Sequence, residues 1–208
     1  MHDQPRIWFV TGAAHGLGRV LARAALMRGD IVVGTSADGE LASDAGFRSA
    51  RLAGDFHPVD MTPTAAGSVR GALAQALALH GRIDVIVIHS EDPPPGSTEA
   101  AHWFDLHFLG PLRVMQAALP ILRAQGHGRI VDVSSRTLAP RAGWDVYAVA
   151  ANALQHSSQS LTDELRQLGI EVLRVDPDAV DADAVDCIGE PALPLDCAPR
   201  PELASGRV

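Results

Sequence analysis

The sequence predicts a doubly wound α/β protein: a parallel sheet of about six strands with helices on both faces. Three observations carry this expectation. Short apolar segments alternate with segments of helical spacing over the first 175 residues. The first apolar segment runs straight into a glycine-rich turn. The chain of 208 residues, 47% hydrophobic and 20% charged, has enough apolar side chain for one medium domain.

Taken in order, Ile7–Val10 reads as a short buried strand, followed at once by Thr11-Gly12-Ala13-Ala14-His15-Gly16-Leu17-Gly18. Leu17–Arg28 has helical spacing, with Leu17, Leu21, Ala24 and Ala25 on one face, and Gly29-Asp30 stops it. Ile31–Thr35 is the second strand and Phe56–Val59 a short third. A helix over Ala65–His80 leads to a strand at Val85–His89. A longer helix over Ala100–Ala124 is expected to break or tighten near Gly110-Pro111. A strand at Arg129–Val133, a helix at Val146–Leu168 and a strand at Glu171–Val175 complete the regular part. The domain is therefore placed at residues 1–176. Residues 177–208, rich in proline and aspartate and without a convincing period, read as an irregular segment.

Composition narrows the function. The net charge of -8 with scattered basic residues argues against nucleic acid or an anionic membrane as partner. No apolar run approaches the ~20 residues of a membrane span. The N-terminal residues lack the pattern of a signal peptide, so a cytoplasmic location is expected. All 17 residues counted as lysine or arginine are arginines, and the one asparagine is Asn152. A chain without lysine has no Schiff-base chemistry and no lysine-tuned nucleophile. Cys187 and Cys197 are expected to be free thiols. His102 and His107 are five residues apart on a helix, poor spacing for joint ligation, and no metal site is expected.

The glycine turn between a strand and a helix is an anion site: glycines admit a pyrophosphate to the backbone, and the helix N-terminus supplies N–H groups. Its spacing, T-G-x-x-x-G-x-G, resembles that of short-chain dehydrogenases/reductases, whose fold is Rossmann-like. Further segments extend the resemblance over residues 5 to 177. Val59-Asp60-Met61-Thr62 is similar to the segment whose aspartate contacts adenine, and Gly81–Val87 to the lead-in to the fourth strand. Gly110–Val114 through Leu119-Pro120 matches the helix before the fifth strand, and Gly128–Ser135 the strand that ends in the catalytic serine. Tyr147, the chain's single tyrosine, stands twelve residues beyond Ser135, where the catalytic tyrosine is expected.

The resemblance implies a Ser-Tyr-Lys-Asn tetrad, of which this chain keeps two members. Ala151 stands at the lysine position and His107 at the asparagine position. A unit charge about 6 Å from a phenolate, at an effective dielectric near 20, favours ionisation by about 3 kcal/mol, or roughly two pKa units. Without it a tyrosine remains a donor but a poor base at neutral pH. The Asn-Asn-Ala-Gly segment of the family corresponds to Ile88-His89-Ser90-Glu91, so an acid replaces a glycine beside the nicotinamide. Asp176, Asp178 and Asp181 would oppose a pyrophosphate if the loop after the sixth strand follows the family path. A seventh strand and the helical lid over the substrate are missing from the pattern.

The cofactor end is thus expected at Thr11, Gly12, His15, Gly16, Leu17, Gly18, Ser36 and Asp60, with His15 and Ser36 favouring NADP over NAD, and with weak or no binding. Catalysis is expected at Tyr147, Ser135, His107 and His89. The leading expectation is an atypical enzyme acting by proton transfer on a small organic substrate of the secondary-metabolite kind, by cyclisation, isomerisation or dehydration. The alternatives are an NADP(H)-dependent ketone/alcohol oxidoreductase with a rearranged tetrad and a non-catalytic partner protein. The resemblance also implies a homodimer through the helices flanking the fifth strand, with Leu112, Met115, Leu119, Leu122, Leu154, Leu161 and Leu165 as its apolar faces.

Overall fold

A computed structural model describes residues 4–37, 39, 41, 44, 46–47, 54–90, 100–133, 153, 162 and 164–175. Its described elements are β1 (Ile7–Val10), α1 (Gly16–Met27), β2 (Ile31–Ser36), β3 (Phe56–Asp60), α2 (Ala66–His80), β4 (Val85–His89), α3 (Ala100–Phe104), a π-helical turn (Asp105–Leu109), α4 (Gly110–Gln125), β5 (Gly128–Val133) and β6 (Ile170–Val175). Thr162 and residues 164–167 are helical as well. The six strands form one sheet in the order β3-β2-β1-β4-β5-β6, and every pairing is parallel. The chain winds outward from the centre twice, once from β1 towards β3 and once from β4 towards β6. Their carboxyl ends therefore diverge at the β1–β4 seam, the place where such sheets take their ligands.

Alternation along each strand sorts the core onto two faces. Phe9, Val33, Ile86, Ile88 and Ile130 face α2 and α4, where Leu73, Val114, Ala118 and Leu122 meet them. Trp8, Val10, Val32, Val85, Val87 and Val131 face the other way, with Leu21, Ala22, Ala25 and Leu26 of α1. Two aspartates pin the amino ends of the strands. Asp84 accepts from the Ile7 N–H (2.8 Å), and Asp30 accepts from the Arg6 N–H and the Trp8 indole, each at 3.0 Å.

The long helix expected over 100–124 does break, but not where the proline stands. The irregularity lies upstream, at 105–109, and it widens the helix instead of tightening it. A second correction concerns the apolar faces expected to make a dimer. Met115, Leu119, Leu122 and Leu165 are buried in the chain's own core, against the sheet. What α4 leaves outward is Gln116, Pro120, Arg123 and Ala124.

Candidate functional site

The glycine turn hangs between two strands. The Thr11 N–H donates to the Val87 carbonyl of β4, and the Ala13 N–H to the Thr35 carbonyl of β2, each at 3.0 Å. Gly12 and Gly16 hold φ of 61° and 52°, a region costly for residues with a Cβ. Gly18 serves a different need. A Cβ there would stand 2.3 Å from the Gly12 carbonyl oxygen, so α1 can approach the turn only because that atom is absent. His15 occupies the N-cap in an extended conformation, its ring makes no capping bond, and no acid lies in the first turn of α1. The helix start with its partial positive charge is thereby left to an anion.

On one side of this turn lie the ends of β2 and β3, where Ser36 and Asp60 are register partners. Asp60 is exposed. Ser36 is buried, and among the described residues its hydroxyl finds no hydrogen-bond partner. A buried hydroxyl left unmade is costly, and a ribose hydroxyl would satisfy it. The segment after β2 is fastened to α1. Arg19 donates to Asp44 and to the Ala14 carbonyl (3.2 Å), and it holds the Asp44 carboxyl below its usual range. Arg23 donates to the Gly46 carbonyl (2.6 Å), and Phe47 stacks on Phe56 with centroids 4.0 Å apart.

On the other side stands the end of β4. The Thr11 hydroxyl donates to the His89 carbonyl (2.8 Å) and accepts from the His89 N–H (2.9 Å). The His89 imidazole lies against Gly16, 3.4 Å from where a Cβ would stand. Next to it runs the π turn. Such turns recur at functional sites because they re-aim side chains. Here the turn carries His107, which is 8% exposed and stacked on Trp103 with centroids 5.0 Å apart and planes at 20°. Asp105 and Arg113 pair across the turn at 2.7 Å, and the Ser90 hydroxyl donates to the Leu106 carbonyl at 3.2 Å.

Of the residues expected from sequence, the structure places Thr11, Gly12, His15, Gly16, Leu17, Gly18 and His89 at the seam and Ser36 and Asp60 beside it, at the ends of β2 and β3. His107 lies on the turn fastened to β4. Ser135 and Tyr147 lie outside the described residues, as do Glu91, Ala151, Asp176, Asp178 and Asp181. Two residues join the site without having been expected there. Trp103 packs on His107, a relation visible in sequence as a spacing of four. Ser90 has no such signal. Among the described residues no group of three or more His, Cys, Asp or Glu is placed to hold a metal, and no helix is long and apolar enough to cross a membrane.

Fold and turn together define an α/β protein of the dinucleotide-binding kind. Residues 6–191 match the short chain dehydrogenase family. The chain is 32% identical over 182 residues to the oxidoreductase claN of Passalora fulva, covering 83% of this chain and 81% of that one. A short-chain dehydrogenase from Streptomyces avermitilis superposes with a TM-score of 0.71 at 32% identity, covering 84% of this chain and 66% of the other. A metagenomic short-chain oxidoreductase solved in complex with NADP gives a TM-score of 0.72 at 25% identity, over 88% and 89%. The chain belongs to the short-chain dehydrogenase family, and its similarity to proteins named oxidoreductases points to an enzyme.

Proposed function

We propose that the protein is an acid/base enzyme of this family, in which proton transfer on a small carbonyl or hydroxyl compound has replaced or outgrown hydride transfer. The observation that carries the reading is His107. It is a buried imidazole on a π turn at the family's asparagine position, in a chain without lysine to tune its tyrosine. Imidazole exchanges protons near neutral pH, as an unassisted phenol does not. In this reading His107 takes a proton from the substrate carbon or hydroxyl, and neutral Tyr147 gives its proton to the substrate oxygen. Ser135 holds that oxygen by a hydrogen bond, and His89 shapes the pocket edge against Gly16. The test is turnover of a panel of ketones and hydroxyketones without nucleotide. Tyr147→Phe should cost roughly 10²- to 10⁴-fold, the worth of one general acid. His107→Asn, which restores the family residue, should lower activity. Full activity in both variants would end the reading.

A second reading, an NADP(H)-dependent ketone/alcohol oxidoreductase, draws support from the glycine cradle and the unpartnered Ser36 hydroxyl. These residues fit the phosphate and adenosine end of a dinucleotide, with Thr11, Gly12, His15, Gly16, Leu17 and Gly18 at the phosphates and Ser36 and Asp60 at the adenosine. When bound, such a cofactor supplies the hydride donor or acceptor. Weak binding of NADPH and no nucleotide carried through purification are expected. Sub-micromolar binding would favour this second reading.

A further inference from the structure

The π turn has a cause that can be read from its hydrogen bonds. Pro111 has no N–H for the carbonyl of His107, four residues earlier, and its ring crowds that carbonyl. The Gly110 N–H reaches back five residues, to Asp105. The Leu106 carbonyl is thereby stripped of helical donors: Gly110 is engaged elsewhere, and the next N–H along would belong to the proline. Ser90 supplies what the helix does not, donating its hydroxyl to Leu106 at 3.2 Å. Ser90 follows His89, whose backbone is clamped on both sides by the Thr11 hydroxyl. Leu106 precedes His107.

We propose that Ser90 is a positioning residue for His107. By tying the peptide beside His107 to the end of β4, its hydroxyl sets the depth of the imidazole and its stacking on Trp103. An alanine there, the residue implied by the family's Asn-Asn-Ala-Gly segment, leaves the Leu106 carbonyl to water or to a rearranged turn. The importance of this strap for catalysis rests on the reading of His107 as the proton-transfer group; its importance for the geometry of His107 does not.

The test uses Trp103 as reporter. The chain has three tryptophans, Trp8, Trp103 and Trp144, so full-length protein labelled with 5-fluorotryptophan gives a fluorine spectrum in which Trp103→Phe identifies the Trp103 line. That line is expected to be displaced in His107→Asn, which removes the stacked imidazole. Ser90→Ala should broaden it and displace it from its wild-type position. Ser90→Thr, which keeps the hydroxyl, should restore it. The Trp8 line, from the core of the sheet, should stay where it is. Should Ser90→Ala lose the Trp8 line too, Ser90→Cys, with its weak donor, takes its place in the same comparison. A Trp103 line with wild-type position and width when the hydroxyl is gone overturns the proposal. An active His107→Asn would instead remove the catalytic reading and leave the strap standing.

Discussion

Substituting Gly18 by alanine tests the close approach on which the glycine turn depends. The added Cβ would stand 2.3 Å from the Gly12 carbonyl oxygen, 2.9 Å from its carbon and 3.0 Å from the Thr11 carbonyl oxygen. All three are backbone atoms, and none can swing aside as a side-chain tip would. An ordinary contact needs about 1 Å more room, so α1 must lift from the turn or the turn must deform. Overpacking of this kind costs roughly 1–3 kcal/mol. For a chain of this length each kcal/mol is worth about 2–4 °C, so the melting midpoint should fall by about 2–12 °C. Gly71, inside α2, is the control, because a Cβ there meets nothing within 4 Å. Gly71→Ala should raise the midpoint by a few degrees, in line with about 0.4–1 kcal/mol of helix and unfolded-state preference. Thermal melts followed by circular dichroism make the comparison, and NADP titrated by calorimetry should bind the Gly18 variant more weakly than wild type. A Gly18→Ala midpoint within about 1 °C of wild type would refute the reasoning.

Ser36→Ala should be neutral or stabilising by about 1 kcal/mol in urea unfolding, since it removes a buried hydroxyl without a partner, while weakening NADP binding; a clear loss of stability would contradict this. The His80 imidazole is held below its ordinary pKa by burial, then by His57 (ring centroids 4.8 Å apart) and Arg82, against a smaller upward pull from Asp55. The unfolded chain therefore takes the proton first. Stability should fall as pH drops below about 6.5, and His80→Gln should flatten that part of a urea-unfolding series. Ala151→Lys should not by itself create NADPH-dependent ketone reduction, because in the sequence Glu91 still stands where the family has a glycine; robust NADPH oxidation by this variant would count against that. Light scattering at tens of micromolar chain should give a homodimer, and a monomer would contradict it.

The sheet was legible because each strand is a short apolar run closed by a glycine, proline or polar turn. The structure moves strand ends by single residues, as at Ser36 and Gly128. The glycine turn was legible because its glycines sit between a strand and a helix. The π turn was not. A proline marks a break at its own position in a helical pattern, but its missing N–H acts on the carbonyl four residues earlier, so the distortion falls at 105–109. Apolar spacing on α4 did not separate side chains facing the sheet from those facing a partner, since both obey the same period; Met115 and Leu122 belong to the core. The links of Arg19 to Asp44, Phe47 to Phe56 and Ser90 to Leu106 each join a regular element to a residue in a segment without a period, and only the assembled sheet brings them together.

The central claim, that proton transfer has replaced or outgrown hydride transfer, is tested most directly in deuterium oxide. Small ketones and hydroxyketones are incubated with the protein and no nucleotide, and exchange of the hydrogens beside the carbonyl is followed by NMR. The account predicts exchange on at least one member of the panel well above the buffer rate, strongly reduced in Tyr147→Phe and in His107→Asn. Absence of exchange across the panel, together with alcohol formed in step with NADPH consumed, would contradict it.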